Sequence, residues 1–184
     1  MRILHWLMAA MVLTMLFIGI SMVASLANYH TLVAIHRPLG IAILLIACIR
    51  LIVRIVSPLP PFPATVPPPE RLVATASEYL MYSLLFVLPL VGWGMLSAAR
   101  YPVAMFGGFS LPFILPHNLA LYFWLRKAHT VLAYLFFFVF LGHFSAVLFH
   151  TLVIRDGLLF RMVPWSWRQK QTEAVSHAEQ HAAS

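Results

Sequence analysis

The stretch His129–His150, with the sequence HTVLAYLFFFVFLGHFSAVLFH, combines membrane-length hydrophobicity with ionisable side chains. It contains no Asp, Glu, Lys or Arg, and about 17–25 apolar residues are enough for a helix to cross a bilayer. His143 follows His129 by fourteen residues, which is roughly 21 Å or nearly four helical turns, so both rings are expected on one face. Ionisable residues inside a membrane segment are costly, and these histidines are therefore predicted to have a function.

The composition of the whole chain indicates an integral membrane protein. Of its 184 residues, 62% are hydrophobic and 9% are charged, whereas an ordinary soluble domain has about 25% charged residues. The net charge of +7 does not indicate nucleic-acid binding, because the basic residues cluster at the ends of the apolar segments, where they set membrane topology. The single cysteine, Cys48, excludes a disulfide framework.

Four apolar segments are long enough to span a membrane, and they predict an all-α bundle of four transmembrane helices. The predicted spans are about 3–26, 34–56, 72–96 and 128–154. Cleavage of the first span as a signal peptide is the alternative, but its apolar stretch is longer than the ~7–15 residues typical of such signals. The membrane domain is expected over residues 1–164, followed by a polar, disordered tail over 165–184.

Three connecting regions complete the predicted fold. The proline-rich segment Ser57–Pro69 is expected to be extended and stiff. The connector 97–127 is expected to be a loop with a short interfacial helix over Asn118–Leu125, and His117 is expected to be solvated there.

The charge distribution predicts that both termini are cytoplasmic. Four spans put both ends of the chain on one side, and that side would carry eight of the 12 Lys and Arg residues, in agreement with the positive-inside rule. All five acidic residues also fall on that side. The outer side is left with four cations and no acid: Arg37, Arg100, Arg126 and Lys127.

This topology sorts the four membrane histidines into two pairs of matching depth. His36 and His129 are expected near the outer surface, and His5 and His143 near the cytoplasmic surface. Zinc and copper sites usually need three or four nitrogen or sulfur ligands close together, and each level offers only two. Two axial histidines fit a haem better, because the porphyrin supplies the other four ligands. The alternative is four core histidines that hydrogen-bond to neighbouring backbone or hydroxyl groups.

Further residues match these two levels. Gly40 and Ala133 each lie one helical turn after an outer histidine, where a flat macrocycle would need room. Arg50 lies level with the inner pair and could bind a haem propionate. His150, near the cytoplasmic boundary, could hydrogen-bond and protonate a quinone, or it could be an ordinary interfacial residue.

Glu78 lies near the inner membrane boundary at the start of the third span. A proton-relay role is possible for an acid at this depth. An ion pair with Arg54 or Arg71 is the stronger prediction.

Several strings along the chain resemble the prokaryotic cytochrome b561 family. They are Leu4–Leu7 (LHWL), Ile35–Gly40 (IHRPLG), the exit Arg50…Arg54-x-x-x-Pro58, Leu88-Pro89-x-x-Gly92, the ordered His129, His143 and His150, and Leu159-x-Arg161-Met162-x-Pro164. The resemblance runs from His5 to Pro164 and implies that the four membrane histidines ligate two b-type haems, one at each level. It also implies electron transfer to ubiquinone in a bacterial inner membrane. Members of the family often carry histidines at the start of the third span, where this chain has Thr75 and Glu78.

Three functional classes compete. The favoured one is an oxidoreductase that moves electrons from a small anionic donor such as superoxide, attracted by the outer cations, to membrane quinone. It needs no acid, base or nucleophile, so no catalytic residue is predicted. The second is a cytochrome b subunit that relays electrons between a partner dehydrogenase or hydrogenase and quinone. The third is a haem-free transporter, which would need helices broken near mid-membrane.

Overall fold

The structure, a computed structural model, describes residues 2–57, 67–105 and 108–155. Within these residues the chain forms four long helices, each long and apolar enough to cross a membrane. In chain order the elements are α1 (Arg2–Ala24), α2 (Tyr29–Val56), α3 (Pro68–Ala98), β1 (Val103–Ala104), β2 (Ser110–Leu111) and α4 (Leu119–Phe149). One turn of π-helix, His150–Ile154, continues α4. The predicted four-helix membrane fold is confirmed, and the cytoplasmic position of the termini stays a prediction.

Helices that follow one another in the chain pack side by side, α1 against α2, α2 against α3 and α3 against α4. All four contribute to one buried cluster, which we call the central core. Its members are Met8, Val12, Ile43, Ala47, Leu84, Leu85 and Phe136. Phe136 lies seven residues from both His129 and His143, so the central core fills the layer between the two levels of histidines.

Local sequence explains where α3 and α4 begin. α3 starts with Pro68 and Pro69, and proline is well suited to the first helical positions because its missing N–H would have no partner there. The Asn118 side chain caps α4 by accepting a hydrogen bond of 2.9 Å from the Leu121 backbone N–H. α3 continues through Pro89 without interruption, so it is not the broken helix that the transporter hypothesis requires.

The outer connector between α3 and α4 differs from the prediction. β1 and β2 form a small antiparallel hairpin, and the separate helix predicted over Asn118–Leu125 is wrong, because this segment is the first part of the continuous α4. Four hydrogen bonds hold the connector on the end of α3. Three involve side chains and join Trp93 Nε1 to the Pro112 carbonyl (3.0 Å), the Ile114 N–H to Ser97 Oγ (3.3 Å), and His117 Nδ1 to the Ala98 carbonyl (3.1 Å). The fourth runs from the Asn118 N–H to the same Ala98 carbonyl (3.0 Å).

The sequence prediction for His117 is therefore only partly right. The residue is exposed, but its ring contacts backbone rather than solvent alone. The central part of the proline-rich connector and the predicted tail over 165–184 lie outside the described residues.

Candidate functional site

The outer pair of histidines is a direct contact between two helices. The rings of His36 on α2 and His129 on α4 have centroids 6.2 Å apart and cross at 74°. In both rings Nδ1 is buried and has no hydrogen-bond partner among the described residues. Core histidines that serve only packing are expected to be hydrogen-bonded, so these orphaned nitrogens argue against the purely structural alternative.

The separation of the two outer rings suits a shared metal ion. An imidazole nitrogen binds such an ion at about 2.0–2.1 Å and lies about 1.1 Å from its own ring centroid, so two rings on one ion have centroids about 6 Å apart. The 6.2 Å observed between His36 and His129 agrees with this distance, which is also common for aromatic rings packed edge-on. The separation is therefore compatible with a shared ion, and the case for a ligand pair rests on the buried, unpartnered nitrogens as well.

His129 also packs against the backbone of α3. A methyl group at Gly92 would lie 3.2 Å from Cε1 and 3.5 Å from Nδ1 of His129. The same ring interacts with the backbone carbonyl of Leu88, one turn before Gly92. The outer site is thus built from α2, α3 and α4.

The inner pair lies within electrostatic range of an arginine. His5 on α1 interacts electrostatically with His143 on α4 and with Arg50 on α2, and His143 interacts with the same arginine. Nδ1 of His5 is buried without a hydrogen-bond partner among the described residues. The three residues that the sequence predicted at the inner level therefore lie in the same region of the bundle.

Acidic and aromatic groups on α3 complete the inner site. Arg54 Nη2 lies 2.8 Å from Glu78 Oε2, which confirms the predicted ion pair; the proton-relay role stays a prediction. The Arg50 guanidinium lies 5.3 Å from the centroid of the Tyr82 ring, and the buried Tyr82 hydroxyl has no hydrogen-bond partner among the described residues. The charges of both Arg50 and Glu78 act on His143.

The outer cations are held by carbonyl and aromatic groups. Arg37 Nη1 donates to the Pro102 carbonyl at 3.4 Å and Arg126 Nη1 to the Tyr122 hydroxyl at 3.3 Å. Arg100 lies over the Phe113 ring and Lys127 over the Trp124 ring. No acidic side chain pairs with any of the four in the part of the chain that the structure describes.

Comparison with known proteins identifies the family. The family profile described as prokaryotic cytochrome b561 matches residues 1–165. The chain belongs to the prokaryotic cytochrome b561 family. Cytochrome b561 homolog 2 of Escherichia coli (strain K12) is 33% identical over 170 residues, which is 86% of either chain. Probable superoxide oxidase CybB of Yersinia pestis is 32% identical over 137 residues, 71% of this chain and 73% of that one.

Membership of the cytochrome b561 family makes this protein a multi-pass membrane cytochrome, and it implies haem b as the bound group. The side chains available as metal ligands agree with haem b. No cluster of three or more His, Cys, Asp or Glu side chains that could hold a bare metal ion occurs among residues 2–57, 67–105 and 108–155. Imidazoles that occur only in pairs are suited instead to a metal that brings most of its own ligands, as haem does.

The glycines near the outer level differ in how much free space lies beside them, and a haem in a cytochrome b561 needs such space. Nothing lies within 4 Å of a methyl group at Gly19. At Gly40 the expected space is taken by the Cε atom of Met15, 3.7 Å from where a methyl group would be. This methionine tip is flexible, so it can move aside more easily than backbone could.

Two residues of the site, Tyr82 and Gly92, were not identified from the sequence. Tyr82 and Gly92 both lie on α3, and their importance depends on lateral packing against α2 and α4, which helical periodicity does not reveal. A signal existed for Gly92, because it is part of the Leu88–Gly92 string shared with the cytochrome b561 family.

His150 begins the π-helical turn and its ring packs edge-on against Phe149. Its role toward quinone stays a prediction.

Proposed function

We propose that the protein is a quinone-linked di-haem oxidoreductase of the bacterial inner membrane. Electrons would enter at the outer face from a small anionic donor, superoxide, and leave to ubiquinone. The observation that carries this proposal is the facing pair His36 and His129, with ring centroids 6.2 Å apart and both Nδ1 atoms unpartnered. Its counterpart at the inner level is the pair His5 and His143 beside Arg50.

In this proposal the four histidines hold two b haems. His36 and His129 would hold the outer haem, and His5 and His143 would hold the inner one. When bound, the haems supply one-electron redox chemistry that no side chain of this chain provides. The helices contribute the spacing of the two levels, and the central core excludes water from the layer between them.

The outer cations account for the choice of an anionic donor. Arg37, Arg100, Arg126 and Lys127 lie on the predicted outer side without an acidic partner among the described residues. A surface of one charge sign raises the local concentration and the encounter rate of a small ion of opposite sign. The name of the similar Yersinia pestis protein, probable superoxide oxidase, supports superoxide as that ion.

The inner residues would serve the acceptor. Arg50, held over Tyr82 and not neutralised by Glu78, is placed to bind a carboxylate such as a haem propionate. His150 would donate a hydrogen bond and a proton to a quinone carbonyl near the inner surface. Two superoxide ions, each losing one electron to become dioxygen, would reduce one quinone, which takes up two protons to become quinol.

The test starts with the purified protein in detergent. A reduced-minus-oxidised visible spectrum, with haem extracted and counted per chain, is expected to give two b haems. Superoxide added in a stopped-flow experiment is then expected to reduce the haems, and an excess of a water-soluble ubiquinone analogue to reoxidise them. Two haems that superoxide does not reduce would favour the cytochrome b subunit with a partner dehydrogenase. A well-folded sample that binds no haem would overturn the proposal.

A further inference from the structure

The contact between Gly92 and His129 goes beyond the ligand pairs and rests on the proposal that His129 holds the outer haem. The methyl group that any other residue would add at position 92 lies 3.2 Å from Cε1 of His129. Ordinary van der Waals contacts of a methyl carbon lie at about 3.5–4 Å, so a side chain at this position would have to push the His129 ring away by a few tenths of an ångström. The imidazole edge therefore rests directly on the backbone of α3.

The α3 backbone beside the His129 ring offers a hydrogen-bond acceptor. Leu88 lies one turn before Gly92, and its carbonyl interacts with the His129 ring. The buried Nδ1 of that ring has no other hydrogen-bond partner among the described residues, and no contact there reaches full hydrogen-bond geometry. Nδ1 is the ring nitrogen that lies next to position 92, 3.5 Å from where a methyl group would be, and the absence of a side chain there leaves the ring free to approach the α3 backbone.

The surrounding bonds fix this part of α3. Trp93, next to Gly92, donates to the Pro112 carbonyl at 3.0 Å. One turn later the buried Ser97 accepts from the Ile114 N–H at 3.3 Å. Both bonds attach this part of α3 to the outer connector.

We propose that Gly92 is a positioning residue for the outer haem. It lets His129 rest on α3 so that Nδ1–H is directed at the Leu88 carbonyl and Nε2 is directed to the iron. A hydrogen bond from the distal nitrogen of a ligating histidine fixes its tautomer and ring orientation and makes it a more basic ligand. A more basic ligand favours ferric over ferrous iron, so this contact lowers the midpoint potential of the outer haem.

The test uses the full-length holoprotein and a matched pair of variants on the same helix. In Gly92→Ala the new methyl group meets the His129 ring, whereas in Gly94→Ala it meets Leu115 Cδ1 at 3.0 Å and Leu125 Cδ1 at 3.6 Å. Both substitutions crowd α3, but only the first touches the histidine. Haem per chain, the ferric EPR spectrum and a redox titration are measured for both variants and for the unaltered protein.

Gly92→Ala is expected to raise one of the two midpoint potentials and change one of the two low-spin EPR signals, or to lose one haem. Gly94→Ala is expected to keep both haems with unaltered potentials. Equal spectra and potentials for Gly92→Ala and the unaltered protein would overturn the inference. Equal changes in both variants would do so too, because they would indicate a general packing effect.

Two further measurements distinguish a failure of the inference from a failure of the proposed function. If Gly92→Ala does not fold, nitrogen-15 NMR of histidine-labelled, reduced, unaltered protein tests the bond directly. A slowly exchanging Nδ1–H assigned to His129 is expected, and rapid exchange would overturn the inference. His129→Ala should lose the outer haem; retention of both haems would instead show that His129 is not a ligand, so that the proposed function fails first.

Discussion

At the residue scale, the two histidine levels share one design. At the outer level the rings of His36 and His129 are in contact, their Nδ1 atoms are buried, and the charge of Arg37 acts on His36. At the inner level His5 and His143 share the neighbouring charge of Arg50. Each level therefore combines two buried imidazoles with a nearby cation.

Single substitutions of the ligands should remove haems one at a time. His36→Ala is expected to reduce the haem content from two per chain to one and to leave the inner haem's spectrum intact, because the inner pair lies on other residues. His143→Ala should have the reciprocal effect. Haem extraction and the reduced-minus-oxidised spectrum of each purified variant measure this outcome. Loss of both haems from each single variant would contradict two independent sites.

Removal of the charge at Arg50 should act on one haem only. Arg50→Gln is expected to lower the midpoint potential of the inner haem, because a nearby cation favours the reduced form that carries one more electron. At an effective dielectric constant of about 20, charges roughly 8–15 Å apart interact by about 1–2 kcal/mol. A redox titration that resolves both haems checks this, with the outer haem as the internal control. An equal shift of both potentials would show that the charge is not local to the inner level.

At the element scale, α3 attaches the outer connector to the bundle. Its last turns carry Trp93 and Ser97, whose hydrogen bonds to the connector hold the small hairpin β1–β2 over the outer end. The same helix carries Gly92 against His129 and Tyr82 against Arg50. α3 has no haem ligand in the proposal, yet it contacts both sites.

The packing of α4 allows a matched stability test. Phe136 is 6% exposed within the central core, and Phe138, two residues later, is 64% exposed on the lipid-facing side. Phe136→Ala is expected to lower the free energy of unfolding by about 3 kcal/mol, the low end of the usual range because detergent also solvates the unfolded apolar chain. Phe138→Ala should change it by less than about 0.5 kcal/mol. Denaturant unfolding in detergent micelles followed by circular dichroism measures both, and equal effects would contradict the position assigned to Phe136.

The elements that could be predicted from the sequence are those set by hydrophobic length. Four spans and the shared depth of the histidines followed from apolar runs and the fourteen-residue spacing of His129 and His143. The hairpin β1–β2 was not predicted, because its strands are only two residues long and pair with each other, which leaves no periodic pattern in the sequence. Likewise the start of α4 was misjudged, because Asn118 caps a helix that extends beyond the apolar core of the membrane.

At the scale of the whole molecule, charge is distributed unevenly between the two ends of the bundle. Among the described residues, Arg54 and Glu78 form an ion pair at the predicted inner end. The four cations of the predicted outer end have carbonyl and aromatic neighbours. This cationic end is the side where the proposal has the anionic donor arrive.

Neutralising two outer cations should slow the reaction with superoxide. The double variant Arg126→Gln, Lys127→Gln is expected to reduce the second-order rate of haem reduction several-fold at low ionic strength, and the difference should shrink in about 0.5 M salt. Arg71→Gln, at the start of α3 and on the predicted inner side, is the control and should leave the rate unchanged. Stopped-flow absorbance at several salt concentrations makes the comparison. A rate that depends on neither salt nor these two residues would exclude electrostatic steering.

The apolar layer formed by the central core has an electrical consequence. It separates two levels that lie roughly 21 Å apart along α4, most of a hydrocarbon thickness of about 30 Å. A charge that crosses the whole membrane exchanges about 2.3 kcal/mol with every 100 mV of transmembrane potential. In the proposed orientation an electron moving inward travels toward the negative side of an energised membrane, so the voltage opposes its transfer. The protein would consequently run fastest in a cell whose membrane has depolarised and slow down as respiration restores the potential.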